Sequence, residues 1–471
     1  AYPRFRFVIL LNRHYRMSYI WAIALTAALG GLLFGYDWVV IGGAKPFYEK
    51  YFHLTSSFQI GWAMSSALLG CLLGALVSGG LSDRFGRKRL LILAGALFTI
   101  SAVGTALAAG FSAFVWFRLL GGVGIGLAGN LSPMYIAEVS PAEIRGKFVS
   151  INQLTIVIGI LSAQVVNWLI AKPVPEGASA ADILDSWNGQ LGWRWMFGAE
   201  AVPATLFFLA MFFVPESPRW LVKNGRDDAA ARTLAKIGGE DFARQSMVEI
   251  KASLIHEIRR VDFRELLEPR MMRVLAVGVT LAVFQQWCGI NVIFNYAEEI
   301  FSAAGYGVSD ILFNIVLTGM VTLAFTFVAI FTVDRWGRRL LLLIGAGGLS
   351  VIYLLLGAGH ALNLTGPLML FLVVSAIAVY GMSLAPVVWV VIAEIFPNRI
   401  RGAAMSISVS ALWIACFILT YSFPFLNRGL GAAGTFWIYA AICIGGFLFI
   451  KLRVPETKGK TLEEIEKALV R

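Results

Sequence analysis

The chain has 471 residues, of which 58% are hydrophobic and only 14% are charged, and its formal net charge is +11. Soluble globular domains carry about 25% charged residues, so this composition excludes an ordinary soluble protein and indicates an integral membrane protein. The apolar runs are long and rich in glycine, which is typical of membrane helices and not of the short alternating strands of a barrel. The N-terminal segment is basic and interrupted by charges, so we expect a cytosolic tail or surface helix there and no cleaved signal peptide.

Twelve apolar runs are long enough to cross a bilayer as helices. In chain order they lie near 19–42, 58–81, 90–110, 113–136, 148–171, 194–214, 273–300, 308–333, 340–361, 367–394, 404–426 and 432–452. Lys and Arg cluster in the segments on one side of these spans, and the other side holds only Lys45, Lys50, Lys172, Arg194 and Arg428. The positive-inside rule therefore places both termini in the cytoplasm. The positive net charge reflects topology and does not indicate nucleic-acid binding.

Three motifs occur twice, about 250 residues apart. "DRFGRK" at 83–88 returns as "DRWGRR" at 334–339, "AEVSPAEIRG" at 137–146 as "AEIFPNRIRG" at 393–402, and "VPESPRW" at 214–220 as "VPETKGK" at 454–460. This duplication predicts two parallel six-span repeats related by a pseudo-twofold axis. The predicted organisation is a cytoplasmic tail (1–18), an N-terminal six-helix bundle (19–221), a cytoplasmic helical linker (222–272), a C-terminal six-helix bundle (273–454) and a second cytoplasmic tail (455–471).

A duplicated twelve-span architecture suits a carrier that rocks around a central site. The sequence shows no Ser/His/Asp set, no HExxH and no P-loop, so we expect neither an enzyme nor an ATP-driven pump. The four cysteines lie inside apolar runs without CxxC spacing, so neither a disulfide framework nor a metal site is expected.

The duplicated motifs place charged residues at matched positions on the cytoplasmic ends of the spans. We predict one gating network in each half: Arg84, Glu138, Arg145 and Glu216 in the first, and Arg335, Glu394, Arg401 and Glu456 in the second. Such ion pairs can hold the cytoplasmic side closed in one state and separate in the other. The alternative is plain topology with static bridges, which are worth about 0–1 kcal/mol when exposed.

Uncharged polar and aromatic side chains lie in the middle of several spans. They are Phe34, Gln153, Gln285, Gln286, Asn291, Asn295, Tyr296, Trp389 and Trp413. Amides supply both donors and acceptors, and aromatic faces suit the C–H side of a sugar ring, so the mixture favours a neutral polyol. The alternative is amide bonding between helices, worth about 0.6 kcal/mol on average.

Asp37 lies within the first span, where an ionised carboxylate is costly. Arg118 in the fourth span and Glu200 in the sixth are further intramembrane charges of the same half. Burial raises a carboxylate pKa and a nearby arginine lowers it. A carrier that changes the distance between Asp37 and Arg118 would therefore bind and release a proton. The alternative is a static bridge that holds the first and fourth spans together.

The motifs "GGLSDRFGRKR", "PMYIAEVSPAEIRG", "VPESPRWL", "DRWGRR" and "VPETKGKTLEEIE" resemble the signature set of the sugar porter family of the major facilitator superfamily. The resemblance extends from about residue 20 to about residue 468. It implies an all-α fold with twelve transmembrane helices in two six-helix bundles. It also implies that Gln153, Gln285, Gln286, Asn291 and Trp389 bind sugar, because they match such positions in bacterial xylose–proton symporters and animal facilitative glucose carriers. The matching aromatic wall residues are Phe34, Tyr296 and Trp413.

The resemblance also bears on coupling and on the sugar. Proton-coupled sugar porters have aspartate at the third position of "GYD" with a matching arginine, as Asp37 and Arg118 are here, whereas facilitative carriers have asparagine. Some positions depart from the relatives. Asn295 replaces the first of two tyrosines, Leu412 an amide and Thr322 an asparagine, whereas Ile160 is similar to the glucose carriers. Pentose and hexose therefore both remain open.

These observations predict a proton-coupled monosaccharide symporter that works by alternating access. The first alternative is a facilitative uniporter with the same pocket, and the second is a non-transporting membrane sugar sensor. The expected partners are a small neutral sugar, a proton and membrane lipid, without nucleic acid and without a cofactor other than the proton as coupling ion. We expect a multi-pass functional monomer in the plasma membrane, the inner membrane of a bacterium.

Overall fold

A computed structural model describes residues 15–175, 177–257, 268–396 and 401–458, and the first half within these ranges is helical. Its long helices coincide with the first five predicted spans, and the sixth span is divided between α7 and α8. A capped short helix and a π-helical turn at Asn188–Gly192 precede α7. The helices are α1 (Met17–Tyr51), α2 (Ser57–Phe85), α3 (Arg87–Ala106), α4 (Phe111–Val139), α5 (Arg145–Ile170), α6 (Ala180–Asp185), α7 (Trp193–Gly198) and α8 (Ala201–Ala210).

The described part of the linker is helical, as its apolar spacing predicts, and residues 258–267 of the predicted linker lie outside the described residues. It contains α9 (Pro218–Lys223), which Ser217 caps through its side chain, and α10 (Asp227–Glu257), which bends at Gly239. Apolar side chains of α9 pack against α10 in a small cluster that is separate from the main core. The linker therefore has a packed interior of its own.

The second half is helical throughout its described residues, with more breaks than the first. Gly289 interrupts the seventh span and Ser383 the tenth, whereas the last two spans run together with a break in helical geometry at Gly431. The helices are α11 (Pro269–Trp287), α12 (Ile290–Asn295), α13 (Ala297–Ala303), α14 (Val308–Trp336), α15 (Arg338–Ala361), α16 (Pro367–Met382), α17 (Leu384–Ile395) and α18 (Arg401–Arg453).

Ten stretches of the described chain are long and apolar enough to cross a membrane. One of them, Ala403–Arg453, contains two predicted spans, and the divided sixth span is not among the ten. Twelve membrane crossings are therefore consistent with the structure. Within the first half, α2 and α4 pack with their backbones in direct contact, because a Cβ at Gly122 or Gly126 would overlap a carbonyl oxygen of α2.

The two halves contact each other mainly at one end, which we call the distal end, where residues 52–56 join α1 to α2. There Arg428 donates to the carbonyl oxygen of Thr55 at 3.0 Å, and the Val174 amide donates to Oγ of Ser309 at 3.0 Å. The opposite end carries the duplicated basic motifs and is called the basic end. No hydrogen bond or ion pair between two described residues joins the halves there. Among the described residues, the hydrogen bonds and ion pairs that hold the halves together therefore lie towards the distal end.

Candidate functional site

Three of the predicted amides form a hydrogen-bonded chain in the second half. Nδ2 of Asn291 donates to Oε1 of Gln286, whose Nε2 donates to Oε1 of Gln285 at 3.5 Å. Nε2 of Gln285 in turn donates to the carbonyl oxygens of Leu384 at 3.2 Å and Ala385 at 3.1 Å. Those carbonyls lie at the break between α16 and α17. The chain is thus anchored on backbone and holds the amides in a fixed order.

A helix break brings these amides together. The sequence predicts a continuous helix over 273–300, and this expectation is wrong, because Gly289 adopts a left-handed conformation with φ of 88°. Glycine tolerates this conformation, and most other residues do not. The break turns α12 relative to α11, so that Asn291 contacts Gln286 directly instead of sharing a helix face with it.

An aromatic cluster joins the two halves. The ring centroids of Phe34 on α1 and Trp413 on α18 are 6.1 Å apart. Trp38, which is not among the predicted site residues, lies 6.1 Å from Phe34 and 5.9 Å from Trp413. Its position four residues after Phe34, on the same helix face, is the signal that could have identified it. These three rings form an apolar surface contributed by both halves.

Two further predicted sugar contacts lie outside the amide chain. Gln153 on α5 is exposed, and Trp389 on α17 is 38% exposed. The backbone of α5 at Ile156 contacts α1 at Gly35, next to Phe34, so Gln153 lies at a similar depth to the aromatic cluster. Contact of either side chain with a sugar stays a prediction.

Tyr296 does not lie on the aromatic wall of the pocket, where the resemblance predicts it. It is fully buried, its hydroxyl donates to the carbonyl oxygen of Thr420 at 2.7 Å, and its ring packs on Phe423 with centroids 4.4 Å apart. Because the distal end is closed, Tyr296 belongs to the packed interface there and its hydroxyl is already paired. In this conformation it cannot donate to a ligand in the open cavity.

The three intramembrane charges of the first half come together, as the sequence predicts. Arg118 forms an ion pair with Asp37 and also donates from Nη2 to the Asp37 carbonyl oxygen at 3.2 Å. Glu200, at the break between α7 and α8, interacts electrostatically with both. All three are at most 3% exposed. One carboxylate oxygen each of Asp37 and Glu200 has no hydrogen-bond partner among the described residues, so the group retains free capacity for a proton.

A small cavity of about 10 Å³ lies between this charged group and the aromatic cluster. Trp38, Arg118 and Asn295 are among its lining residues. Nε of Arg118 and Oδ1 of Asn295 have no hydrogen-bond partner within the described part of the chain. Trp38 therefore contacts the space beside the arginine on one side and the aromatic cluster on the other, so a rearrangement of either group reaches the other.

At the basic end of the first half, the predicted carboxylates are paired with a different arginine from the one expected. Glu138 binds Arg87 at 3.0 Å, and Oε1 of Glu216 accepts from the amides of Arg87 at 3.0 Å and Lys88 at 3.1 Å. Arg84 lies instead in the last turn of α2, over its neighbour's ring. The reason is Gly86, whose φ of 94° starts α3 and turns the next residue, Arg87, back towards α4.

The second half repeats this arrangement. Arg338, which corresponds to Arg87, contacts Glu394 at 3.3 Å, and Glu456 accepts from the amides of Arg338 at 2.9 Å and Arg339 at 3.0 Å. Arg335, the predicted partner, is exposed. The repeated unit therefore has three members. The arginine that follows the glycine pairs with a glutamate at the end of a neighbouring helix, and a second glutamate accepts from the first backbone amides of the helix that this arginine begins.

The remaining predicted network members lie at helix starts. Arg145 begins α5 and is exposed, and Arg401 begins α18, with a side chain that lies outside the described residues. The helices that carry Glu138 and Glu394 end one residue after these glutamates, and the helix boundaries agree with the predicted spans within three residues. Their gating role stays a prediction.

The two capping glutamates differ electrostatically. Burial raises the pKa of Glu216, although backbone donors and Arg87 favour its ionised form. Burial also acts on Glu456, but backbone amides of residues 338, 339, 457 and 458 outweigh it and lower the pKa of that carboxyl. The difference between the two pKa values follows from the more exposed position of Glu456. At neutral pH the Glu456 carboxyl is therefore more fully ionised than the Glu216 carboxyl.

Comparison with known proteins identifies the family. The profile described as "Sugar (and other) transporter" matches residues 23–469. The chain belongs to the sugar transporter family. It is 40% identical to the D-xylose-proton symporter of Escherichia coli K12 over 97% of each chain, and 37% identical to the arabinose-proton symporter of Bacillus subtilis over 98% of this chain and 97% of the relative.

A solved structure supports the same family. The inward open conformation of the xylose transporter XylE from E. coli has a TM-score of 0.83 at 38% identity, and the match covers 95% of this chain and 99% of that one. This likeness confirms the predicted major facilitator fold, with twelve helices in two bundles. The protein is a multi-pass membrane sugar transporter.

Proposed function

We propose that this transporter imports a pentose or hexose together with a proton by alternating access. The observation that carries the proposal is the buried group of Asp37, Arg118 and Glu200, which lies one small cavity away from an aromatic and amide pocket. The two relatives named above are described as a D-xylose-proton symporter and an arabinose-proton symporter. Their names support both the sugar class and the coupling.

The pocket supports a neutral sugar as substrate. Amides of Gln285, Gln286 and Asn291 present donors and acceptors, while Phe34 and Trp413 supply apolar faces from opposite halves. We further assign Gln153 and Trp389 to the sugar, since both side chains have exposed surface. The sugar crosses unchanged, so the function requires no catalytic group and no cofactor beyond the coupling proton. A functional monomer surrounded by lipid, without nucleic acid, satisfies this proposal.

The basic end faces the cytoplasm in this proposal. The positive-inside rule supports this orientation, with both termini in the cytoplasm of a bacterial cell. The structure then corresponds to a state that releases sugar inward. The paired carboxylates at the basic end, Glu138 and Glu394, lie within separate halves here, and we assign their networks to the equilibrium between inward-facing and outward-facing states.

Replacing Asp37 with asparagine tests the coupling. Asp37→Asn fixes a neutral side chain of nearly the same shape, so sugar binding and exchange of labelled for unlabelled sugar should survive, whereas uphill accumulation should disappear. With one proton per sugar, each pH unit across the membrane is worth about 1.36 kcal/mol, or tenfold accumulation. Asp185→Asn, an exposed acid on α6, is the matched control and should accumulate sugar normally.

The facilitative alternative gives a different result. A uniporter would equilibrate sugar without concentrating it, and collapse of the pH gradient would leave wild-type uptake unchanged. Proteoliposomes with an acidic outside and labelled xylose, arabinose and glucose distinguish the two. Accumulation by Asp37→Asn vesicles would move the coupling site to Glu200, and accumulation by neither wild type nor variant would favour the uniporter.

A further inference from the structure

A single lysine joins the two halves at the distal end. Nζ of Lys45 on α1 lies 3.2 Å from Glu298 and 2.5 Å from Glu299, both on α13, and 2.9 Å from Glu49 on its own helix. The Lys45 side chain is 2% exposed, in the middle of the contact between α1 and α13. The ion pairs with Glu298 and Glu299 exist only while the two helices remain together, so these two pairs report closure of the distal end.

The cluster carries more negative than positive charge. Lys50 is the other cation that acts on it, through Glu49, while its own Nζ donates to the carbonyl oxygen of Pro46 at 2.9 Å. Two ammonium groups thus face the carboxylates of Glu49, Glu298 and Glu299, which leaves one negative charge unbalanced. Oε2 of Glu299 is buried without a hydrogen-bond partner in the described part of the chain. An unbalanced buried charge favours protonation.

The other titratable groups around the cluster are already engaged. Tyr48 and Tyr296 both interact electrostatically with Glu299. The Tyr48 hydroxyl donates to the sulfur of Met64 at 2.9 Å, and the Tyr296 hydroxyl donates to the carbonyl oxygen of Thr420. Arg118 on α4 acts on Tyr48 but is itself paired with Asp37. Neither hydroxyl supplies a proton to the unpaired carboxylate oxygen.

We propose that the cluster of Lys45, Glu49, Glu298 and Glu299 is the outer gate of the carrier and binds one proton when the gate closes. The proton comes from extracellular water and adds to a carboxylate of the Glu298–Glu299 pair, so that no net charge is buried. When α13 leaves α1, the carboxylates become hydrated and the proton returns to the outside. This site is separate from the Asp37 group and lies eight residues further along α1, towards the distal end.

The inference depends on the proposed function only for which side is outside. It predicts that acid on the distal side shifts the resting carrier towards the state that is closed there and open at the basic end. One proton taken up on closing changes the ratio of closed to open protein by up to tenfold per pH unit. The pH dependence therefore concerns conformation and exists without any sugar gradient.

The test measures distal closure directly in detergent, without a membrane gradient. Spin labels at Thr55→Cys and Arg428→Cys, two exposed positions in contact across the halves, give a short distance when the distal end is closed. The four native cysteines are buried, so labelling is selective. The closed fraction is measured from about pH 5 to about pH 8, a range that spans ordinary carboxyl titration in perturbed sites.

We expect the closed fraction to rise as the pH falls, and to do so equally in an Asp37→Asn background. Glu299→Gln should keep the gate closed with little pH dependence, because the unbalanced charge is gone. Lys45→Met should open the gate, and Lys45→Arg should restore closure. Lys172→Met, which removes a cation of the same end outside the cluster, is the control. Sugar affinity shows that each variant is folded.

Two results would overturn the proposal. One is an unchanged pH dependence in Glu299→Gln, and the other is its disappearance in Asp37→Asn while Glu299 is intact. Either result would assign the proton to the Asp37 group alone. Failure of proton-driven accumulation in vesicles would contradict the proposed symport but would not change the distances measured in detergent. Failure of the symport proposal and failure of the gate proposal are therefore distinguishable.

Discussion

Gln286 occupies the middle of the amide chain, and truncating it tests the pocket most directly. Its Oε1 accepts from Asn291, and its Nε2 donates to Gln285. Gln286→Ala removes both bonds and any bond to a sugar hydroxyl. The Nδ2 of Asn291 then keeps only a weak contact with the sulfur of Cys416 at 3.5 Å. Without Gln286, the hydrogen bonds that fix the positions of Gln285 and Asn291 relative to each other are lost.

The expected effect can be estimated from the cost of a missing hydrogen bond. Gln286 is 7% exposed, so its polar partners lack full hydration when it is removed. A buried group left without its partner costs about 1–3 kcal/mol, and sites built to bind a hydroxyl discriminate strongly when one partner is lost. We therefore expect sugar affinity to fall by about ten- to a hundredfold, at about 1.4 kcal/mol for each factor of ten.

Calorimetry on purified protein measures the change, with xylose, arabinose, glucose, galactose, fructose and inositol as a panel. Gln190→Ala is the matched control, because Gln190 is exposed at the distal side and its amide bonds only the Leu184 carbonyl among the described residues. Its affinity should equal that of the wild type. Unchanged binding of every sugar by Gln286→Ala would refute the location of the pocket.

Three further predictions concern the frame around the pocket. Glu394→Gln should leave sugar affinity unchanged and slow transport in proteoliposomes, whereas wild-type rates would favour a purely topological role. Glu456→Gln should lower the melting temperature at pH 7, and the difference from wild type should vanish as the pH falls through the lowered pKa of the Glu456 carboxyl. The pKa of Glu216 is raised, so the melting temperature of Glu216→Gln should instead rise relative to that of the wild type as the pH rises. Gly289→Ala should impair folding and binding, since its φ is 88° and a Cβ would lie 2.7 Å from a tyrosine ring, while Gly431→Ala, with φ of 68° and open space around it, should cost less.

The spans and their ends could be read from the sequence because they depend on local signals. Apolar runs of sufficient length and a positive charge bias identify membrane helices, and the duplicated motifs mark where they end. Glu138 and Arg145 lie at the predicted ends of α4 and α5 for this reason. The meeting of Asp37 with Arg118 was also predictable, since isolated charges in apolar spans require partners.

The pairing of the repeated arginines was not predictable from spacing alone. Arg84 and Arg87 both belong to the motif, and only the backbone at Gly86 decides which of them turns towards α4. The same limitation applies to the seventh span. A composition suited to a continuous helix does not reveal that Gly289 adopts a left-handed conformation, so the contact between Asn291 and Gln286 depends on tertiary structure.

The distal cluster was missed for a different physical reason. Lys45 counted in the sequence as one of a few cations on the weakly charged side, and nothing local distinguishes it from a hydrated lysine. Its partners Glu298 and Glu299 lie more than 250 residues away, in the other half. Such contacts depend on how the halves meet, and an inter-half contact that changes during a cycle leaves no period or motif in either segment.

The arrangement along α1 shows how these distant groups can act on one another. Phe34 belongs to the aromatic cluster, Asp37 to the buried charged group and Lys45 to the distal cluster, all on one continuous helix. At 1.5 Å rise per residue, Phe34 and Lys45 are about 16 Å apart, and eleven residues return nearly to the same helix face. A tilt of α1 that relaxes the Lys45 ion pairs must therefore also move Phe34 against Trp413 and Asp37 relative to Arg118. Movement of the aromatic cluster, the charged group and the distal cluster can then be coupled without a chain of intermediate contacts, because one helix carries a member of each.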